Sequence, residues 1–490
     1  MKKSRFIYSW LLFVCFFNVK YAEPAEAQVS AEDEFEDYLS SIEADFYNFE
    51  DSINRNFADY MEQAWQEFTV YEGTEPPVYA GGLFFTGTIE TTLVHPRDSF
   101  FGSFLHFPYM VEEGLSLSGL SEKNIADGWR KLGTVDFTSF FRAYTGYSRQ
   151  FSLNDWGNYQ LLKYASMQLY PSFSPRERTL FLFYALSNAG YKAKIGRVEK
   201  DVLVLLLPFA EEVYKLPFIK AGEEKYYVMD ISSKQLKKLY SIMADFPKAE
   251  KVLSLHISEA LDFPENEIGR KFTGKYPFSL SLNRNLLDFY ATFPLCDLSV
   301  YFSAEPSKTF TNSMDKIVKI HLKGKSRPEQ IAWLLDLVQQ VFIHKPDVEV
   351  HKTEVYYFPE ETAFYPYADC EDLSVFLSWL ICRYVTSEVL VLYYPTHVAI
   401  AVECFEGREV FKFRNKEYLI CDPSYRGAVR LLMMMFLSGV AVKSWREATT
   451  FTPTLWAAAT IVFIVSSPRE SSTSTRSMRP LSITARIVFV

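Results

Sequence analysis

The stretch Tyr367-Ala-Asp-Cys-Glu-Asp-Leu-Ser374 opens the best-patterned helix of this sequence. Apolar residues recur along one helical stripe after it, and this pattern predicts a helix over residues 371–384. Asp369 is a good N-cap residue, which places Cys370 in the first turn. A cysteine there lies among backbone N–H groups at the positive end of the helix dipole, where a thiolate is favoured.

The carboxylates beside Cys370 have the opposite effect. Asp369, Glu371 and Asp372 raise the pKa of a nearby thiol unless their side chains point outward. A structural cysteine would more often lie on the apolar stripe inside the helix, as we expect for Cys382. A nucleophilic Cys370 therefore needs a base.

A histidine and an aspartate follow at the edges of predicted strands. His397 begins a strand over residues 397–403, and Asp422 ends a strand over residues 417–422. A lone histidine at a strand edge is usually just half-exposed, and an aspartate before a proline is an ordinary turn residue. In this order, however, the three residues match a thiol nucleophile, its base and the group that orients the base.

The remaining cysteines favour no metal site, because no two have C-x₂₋₄-C spacing. By strand alternation, Cys404 lies on the face opposite His397, and Cys421 on the face opposite Asp422. Both are expected to be core residues or, if they are adjacent, a disulfide pair. The sequence predicts neither a metal nor a cofactor.

Residues 327–428 resemble the transglutaminase core of the transglutaminase-like superfamily, particularly its exported bacterial members. The motifs that carry the resemblance are Asp369-Cys-Glu-Asp372, Tyr394-Pro-Thr-His-Val-Ala-Ile400 and Tyr418-Leu-Ile-Cys-Asp-Pro-Ser-Tyr425. The resemblance implies an α+β, papain-like fold in which the cysteine helix packs on an antiparallel sheet. It also implies chemistry through a thioester or acyl-enzyme without a cofactor, and many bacterial members are thought to be peptidases or amidases.

Carried over motif by motif, the resemblance assigns Cys370 as the nucleophile, His397 as the base and Asp422 as the orienting acid. The substrate it implies is a peptide, protein or peptidoglycan-derived amide. It leaves open the choice between hydrolysis and transamidation, and the oligomeric state.

The composition indicates globular domains that contain sheets. The chain has 490 residues, of which 48% are hydrophobic and 17% aromatic, so two to four domains are expected. A formal net charge of −9 argues against nucleic acid as a partner and against a polybasic membrane patch.

Residues 1–27 have the pattern of a signal peptide. Basic residues precede an apolar stretch from Phe6 to Phe17, and Ala25-Glu-Ala27 resembles a cleavage site. The apolar stretch is shorter than a spanning helix requires, so no integral membrane span is expected after cleavage. The pattern predicts an exported protein, and the resemblance implies that it is bacterial and periplasmic or secreted. Cleavage would leave an odd number of cysteines, so at least one thiol is expected to be unpaired or intermolecular.

The rest of the chain divides into segments of different character. Residues 31–70 predict an amphipathic helix, and residues 80–260 an α/β region. Residues 270–325 alternate and predict a β-rich region that includes strands at 298–302 and 316–322. Residues 326–430 form the predicted catalytic core. Residues 431–490 have an atypical composition, interpreted as a damaged or poorly ordered tail.

Two parts of the sequence resemble one another. Predicted helices at 155–170 and 177–189, with the strands after them, match the helices at 327–342 and 371–384 and their strands. Arg176 then falls at the position of Cys370, and the position of His397 falls near Leu203. This predicts an internal duplication with a degenerate first copy, although generic α/β patterning would give a similar likeness.

Two functions remain open. The ordered triad and the export signal favour an exported cysteine hydrolase or acyltransferase that acts on amides. The first copy, which has no cysteine, and the aromatic N-terminal helix favour a non-catalytic scaffold or binding protein of the cell envelope.

Overall fold

The computed structural model describes most of the chain between residues 49 and 424. The described residues are 35, 38, 41, 42, 49–78, 99–108, 115–169, 174–198, 202–230, 236–351, 353–385, 387–394, 397–403, 410–424 and 461–465. The predicted signal peptide lies outside them, and so does Cys404. These residues form a mixed α+β structure built from helices and antiparallel sheets.

The N-terminal helix ends earlier than predicted. The described residues 35, 38, 41 and 42 are helical, helix α1 is described over 49–63, and strand β1 (Trp65–Thr69) follows, so the prediction of one helix over 31–70 is wrong at its end. Phe57, Ala58 and Met61 are buried, and the Phe57 ring packs against aromatic rings of the body. The apolar stripe of α1 therefore covers the core, and β1 takes the following residues into a sheet.

The first unit places four helices beside a six-stranded sheet. Its helices are α2 (Glu122–Gly133), α3 (Thr138–Gln150), α4 (Asp155–Leu169) and α5 (Pro175–Asn188). Its further strands are β2 (Lys194–Val198), β3 (Val202–Leu207), β4 (Phe218–Ala221), β5 (Glu224–Val228) and β6 (Lys238–Ile242). The strand order is β1-β6-β2-β3-β5-β4, with antiparallel neighbours throughout.

The connecting region is mostly helical, so the prediction of a β-rich region over 270–325 is wrong. Strands β7 (Glu267–Phe272) and β8 (Phe278–Asn283) form a hairpin. Three helices follow, and both segments predicted as strands are helical: α6 (Arg284–Tyr290), α7 (Leu298–Phe302) and α8 (Lys308–Leu322). Asp297 and Ser307 cap α7 and α8, and the buried residues of α8 recur every four positions, as one face of a helix requires.

The second unit contains the predicted catalytic core. Its helices are α9 (Arg327–Val341), α10 (Asp347–Val350), α11 (Pro359–Phe364) and α12 (Cys370–Tyr384). Short strands β9 (Ile343–His344) and β10 (Tyr367–Ala368) pair in parallel before α12. The main sheet contains β11 (Val389–Tyr394), β12 (His397–Glu403), β13 (Val410–Phe413), β14 (Lys416–Cys421) and β15 (Ile461–Val465). Its antiparallel order is β13-β14-β12-β11-β15.

The two units share one arrangement of helices and strands. In the first, α5 packs on β2 and β3 and contacts α4; in the second, α12 packs on β11 and β12 and contacts α9. The strand order β6-β2-β3-β5-β4 of the first unit corresponds to β15-β11-β12-β14-β13 of the second. This agreement in connectivity is more specific than the sequence likeness alone, and the internal duplication remains an evolutionary hypothesis.

The turn before the last strand aligns the two units residue by residue. Ala221 pairs with Glu224 across a two-residue turn, and Phe413 pairs with Lys416 across another. With these turns superposed, Asp230 corresponds to Asp422.

The neighbouring strand keeps the same alignment. Val228 pairs with Leu206, and Ile420 pairs with Ala401, so the first residue of β3, Val202, corresponds to His397. The position equivalent to the histidine is therefore one residue before the predicted Leu203.

The predicted C-terminal tail contributes one described element. Strand β15 pairs with β11 over its whole length and forms one edge of the sheet in the second unit. The remaining residues of the segment 431–490 lie outside the described part of the chain.

Glu360, on helix α11, connects this helix to the N-terminal ends of helices α6 and α8. Its fully buried carboxylate accepts hydrogen bonds from Asn283 N at 2.7 Å, Ser307 N at 2.8 Å and Ser307 Oγ at 2.9 Å. Asn283 caps α6, and Ser307 caps α8. Glu360 therefore fixes α11 between the capped ends of these two helices.

We expect Glu360→Ala to lower the free energy of unfolding by about 2 to 4 kcal/mol, because it leaves three buried donors without their acceptor. Glu259→Ala, at an exposed position, should change it by less than about 0.5 kcal/mol. Urea unfolding of both variants measures the difference. Equal stabilities would contradict this role of Glu360.

Glu360 should also make the stability depend on pH. Burial raises the pKa of its carboxyl to about 7, although hydrogen bonds from Asn283 and Ser307 oppose the rise. A raised folded-state pKa contributes stability that is fully present below the ordinary value near 4.5 and is lost as the pH rises to 7.

The stability difference between the wild type and Glu360→Gln should therefore shrink by about 3 kcal/mol between pH 4.5 and pH 7.5. Urea unfolding at the two pH values measures this change. The exposed Glu259→Gln variant should follow the wild type at both. A difference that is independent of pH would show that Glu360 does not titrate in this range.

Candidate active site

The cysteine helix α12 is buried along most of its length. Every residue from Cys370 to Ile381 is buried, so the helix has no solvent-facing side over three turns. A helix of this kind belongs inside a core, unlike an amphipathic surface helix. The hydroxyl of Ser374 donates to the backbone oxygen of Val398 at 3.2 Å and ties the first turn of α12 to β12. This contact brings the helix start to the strand that carries His397.

His397 and Asp422 are joined by a hydrogen bond. Nε2 of His397 lies 2.7 Å from Oδ2 of Asp422, and the two side chains are 26% and 5% exposed. The other carboxylate oxygen of Asp422 accepts from Ser424 N at 3.0 Å and from Ser424 Oγ at 2.6 Å. Because both oxygens are engaged, the carboxylate has one orientation and holds the imidazole with Nε2 toward it.

The electrostatics of this pair favour a charged Asp422. Burial alone would raise the pKa of its carboxyl, but the hydrogen bond and charge of His397 and the bonds from Ser424 hold it below the usual value. A carboxylate in this position stabilises an imidazolium and leaves Nδ1 as the proton-accepting nitrogen of the neutral ring.

The sulfur of Cys370 lies beside the strand that begins with His397. The backbone N–H of Val398 donates to this sulfur, and the charge of Asp422 acts on it as well. Its S–H donates to Oε2 of Glu371 at 3.0 Å. The structure therefore gathers the three predicted site residues in one region, with the thiol proton directed toward a carboxylate in the resting arrangement.

Of the two opposing effects predicted for the Cys370 thiol, the one that raises its pKa is the stronger. Burial, and then the charge of Asp369, raise the pKa of the Cys370 thiol far above its usual value, while Glu371 and the Val398 N–H oppose this rise. The thiol is only 2% exposed. Asp369, Glu371 and Asp372 are all buried, and the charge of Asp369 opposes thiol ionisation from this position.

Two further residues beside the triad were not predicted. Nε2 of Gln339 on α9 donates to the backbone oxygen of Asp422 at 2.8 Å. His344 on β9 is close enough to His397 and Asp422 for their charges to act on it: its surroundings and the charge of His397 lower its pKa, whereas Asp422 raises it. His344 reaches this position because β9 pairs with β10, where it lies opposite Ala368. No local sequence pattern predicts this pairing.

The other cysteines lie away from this chemistry. Cys421 is buried in the core and pairs across the sheet with Ile400, consistent with its expected core position. Cys296 and Cys382 carry thiols whose pKa values are raised by burial. The predicted alternative of a Cys404–Cys421 disulfide involves a residue outside the described part of the chain.

A cluster of buried carboxylates includes Glu371, which accepts the hydrogen bond from the Cys370 thiol. Oxygen atoms of Asp347, Asp369 and Glu371 lie within 4.8 Å of one another, and all three residues are at most 3% exposed. Both oxygens of Asp369 and Oε1 of Glu371 have no hydrogen-bond partner among the described residues. Burial raises the pKa of all three carboxyls, and repulsion among the neighbouring acidic groups raises it further.

These three carboxylates could hold a divalent cation. Oxygen-only ligands suit Ca²⁺, whose bonds of about 2.3 to 2.6 Å are compatible with oxygens this close together. A cation would also remove the cost of burying carboxylates near one another. Sequence spacing did not predict this set, because Asp347 is distant in the chain from the other two residues.

Comparison with protein-family models, with curated proteins and with solved structures finds no match to this chain. Among the described residues, the helices are all too short or too polar to cross a membrane. The functional argument therefore rests on the geometry of the site.

If the cluster binds a cation, Ca²⁺ added after chelation should stabilise the protein against heat. Binding at one hundred times the dissociation constant adds about 2.7 kcal/mol to the free energy of unfolding. Asp369→Asn should abolish the rise in melting temperature. Glu360→Gln, which changes a buried carboxylate outside the cluster, should retain it.

Thermal unfolding with EDTA, Ca²⁺, Mg²⁺ and Mn²⁺ measures this effect. The opposite result is a wild type whose melting temperature is unchanged by all three cations and an Asp369→Asn variant that is more stable than the wild type. This result would show that the carboxylates share protons and bind no cation.

Proposed function

We propose that this chain is a cysteine-dependent hydrolase or acyltransferase that acts on peptide or protein amide bonds. The observation that carries the proposal is the 2.7 Å pair of His397 and Asp422 at the start of the strand whose Val398 N–H contacts the Cys370 sulfur. An oriented imidazole beside a thiol is the arrangement needed for nucleophilic catalysis. The order of the motifs, which resembles the transglutaminase-like superfamily, supports a papain-like core.

The first half of the reaction forms a thioester. Nδ1 of His397 takes the proton of Cys370 as the sulfur attacks the amide carbon, and Asp422 stabilises the imidazolium that forms. The Val398 N–H, which already donates to the sulfur, opposes the return of the proton. The imidazolium then gives its proton to the amide nitrogen, the C–N bond breaks and the amine leaves.

The second half returns the enzyme to its starting state. His397 deprotonates a water molecule or an amine, which attacks the thioester carbon, and Cys370 leaves as a thiol after regaining a proton. Water gives hydrolysis, whereas an amine gives transamidation. The balance depends on how well a bound substrate excludes water from the cleft.

The resting arrangement requires a rearrangement before attack. The thiol proton is bonded to Glu371, so the S–H must turn from this carboxylate to Nδ1 of His397. The sulfur is also almost fully covered, so a substrate must displace the groups above it. We therefore propose that the Cys370 thiol is deprotonated only when substrate binds, and that no thiolate exists before binding.

The second candidate function is a non-catalytic scaffold or binding protein that uses a transglutaminase-like fold. The buried thiol of Cys370, its bond to Glu371 and its raised pKa favour this alternative. Both candidates are proposed for a periplasmic or secreted location, with peptides, proteins or peptidoglycan-derived peptides as ligands.

Cys370→Ala should abolish amide cleavage, and Asp422→Asn should slow it by about 10²- to 10⁴-fold because the imidazole loses its fixed tautomer. Incubation with a library of proteome-derived peptides, followed by mass spectrometry of new termini, measures the activity. Cys382→Ala is the matched control, since it removes a thiol from the same helix and should leave the rate unchanged.

Cleavage by Cys370→Ala at the wild-type rate would overturn the proposal. A wild type that binds peptides without cleaving or transferring them would favour the scaffold.

A further inference from the structure

A large cavity lies in the first unit, at the aspartate that corresponds to Asp422. This first-unit cavity has a volume of about 860 Å³ and is bordered by Asp230 at the end of β5, by helix α4 and by helix α6. Its volume is within the usual range for ligand pockets, about 300 to 1,000 Å³. The cavity is therefore large enough for a ligand of several residues.

The first unit keeps the aspartate of the proposed triad but has neither the cysteine nor the histidine at the equivalent positions. Val202 occupies the position of His397, and α5 begins at Pro175 and Arg176 where α12 begins at Cys370. Asp230 bonds with Lys163 on α4 at 2.8 and 2.9 Å, in place of a histidine. The described wall of the first-unit cavity therefore lacks the Cys-His pair on which the proposed cleavage depends.

The wall of the cavity combines aromatic surfaces with side-chain amide groups. The rings of Phe100, Trp156 and Tyr159 border it. The half-buried Gln160 and the exposed Asn266 contribute side-chain amides to the wall. Aromatic walls with a few converging polar groups are typical of sites that bind amphipathic ligands.

Backbone strain occurs on two sides of this cavity. Phe101 has a φ of +43° and Asp230 a φ of +56°, a region that bulky residues rarely adopt. Gly102, which follows Phe101 and also lines the cavity, has a φ of +90°, and a Cβ there would lie 2.2 Å from Nδ2 of Asn285. Strained backbone persists where the surrounding structure imposes it, and it is concentrated at ligand sites.

We propose that the first-unit cavity is a non-catalytic binding site for an uncharged peptide segment with aromatic or aliphatic side chains. The amides of Gln160 and Asn266 match the donors and acceptors of a peptide backbone. The aromatic rings and Met167 supply surface for apolar side chains. Lys163 and Asp230 neutralise one another, so this part of the wall selects no net charge on the ligand.

The residues that border the first-unit cavity are distinct from those of the proposed active site. Binding at this cavity does not depend on catalysis by the second unit, because none of the cavity residues belongs to the triad. The binding test therefore uses the Cys370→Ala protein, in which cleavage cannot consume the probe.

The probes are blocked tetrapeptides of the form Ac-Ala-X-Ala-X-NH₂, in which X is Phe, Leu or Ser. Saturation-transfer NMR with the full-length Cys370→Ala protein should detect the Phe and Leu peptides and only weakly the Ser peptide. Met167→Asp places a charge on an exposed part of the apolar wall and should weaken binding at least tenfold. Met243→Asp, at a similarly exposed methionine outside the wall, should bind as the parent does.

Equal binding by the Met167→Asp and Met243→Asp proteins would place the peptide elsewhere, for example at the second unit, and would overturn the proposal. Binding of none of the peptides at millimolar concentration would overturn it too. Binding of chitotetraose or maltotetraose in preference to the peptides would overturn the peptide assignment. Amide cleavage by the Met167→Asp variant with Cys370 intact tests the proposed function separately.

Discussion

The burial of helix α12 on every side is the constraint on which the rest of the second unit depends. Residues from Cys370 to Ile381 pack between the sheet, α9 and α11, so the helix cannot shift without opening the core. This packing fixes the sulfur beside Val398, and the strand that contains Val398 begins with His397. The same burial removes the thiol from solvent and places Asp369 close to it, and both effects raise the pKa of the thiol. One packing arrangement therefore both brings Cys370 to the strand of His397 and raises the pKa of its thiol.

The two units show how one scaffold supports different chemistry. Strand order, the two-residue turn and the terminal aspartate are common to both. In the second unit that aspartate bonds with a histidine, and in the first it bonds with Lys163 beside a large cavity. Reactive groups at strand and helix ends can change without disturbing the buried positions that hold the sheet together. The chemistry that each unit can perform therefore depends on the side chains at these strand and helix ends, and the fold alone does not decide it.

Local sequence patterns predicted the elements of the catalytic core better than those of the connecting region. Helix α12 and strands β11, β12 and β14 follow their apolar patterns closely, because each one packs on a continuous core. The stretch Leu298–Phe302 has residues common in strands, yet Asp297 caps it as a helix, and tertiary packing decides between the two. His344 and Asp347 were not predicted, because only the fold brings them to the candidate site. The burial of Glu371 could not be predicted from the sequence either, since a carboxylate in the first turn of a helix is usually solvated.

The most direct test of the central claim is to trap the acyl-enzyme. Mixing the protein with a peptide ester, quenching in acid within seconds and mapping the adduct by mass spectrometry would locate the nucleophile. The account predicts one thioester adduct, on Cys370, which forms far more slowly in His397→Ala and is absent in Cys370→Ala. An adduct on Cys296 or Cys382, or adduct formation at Cys370 unaffected by the loss of His397, would contradict it.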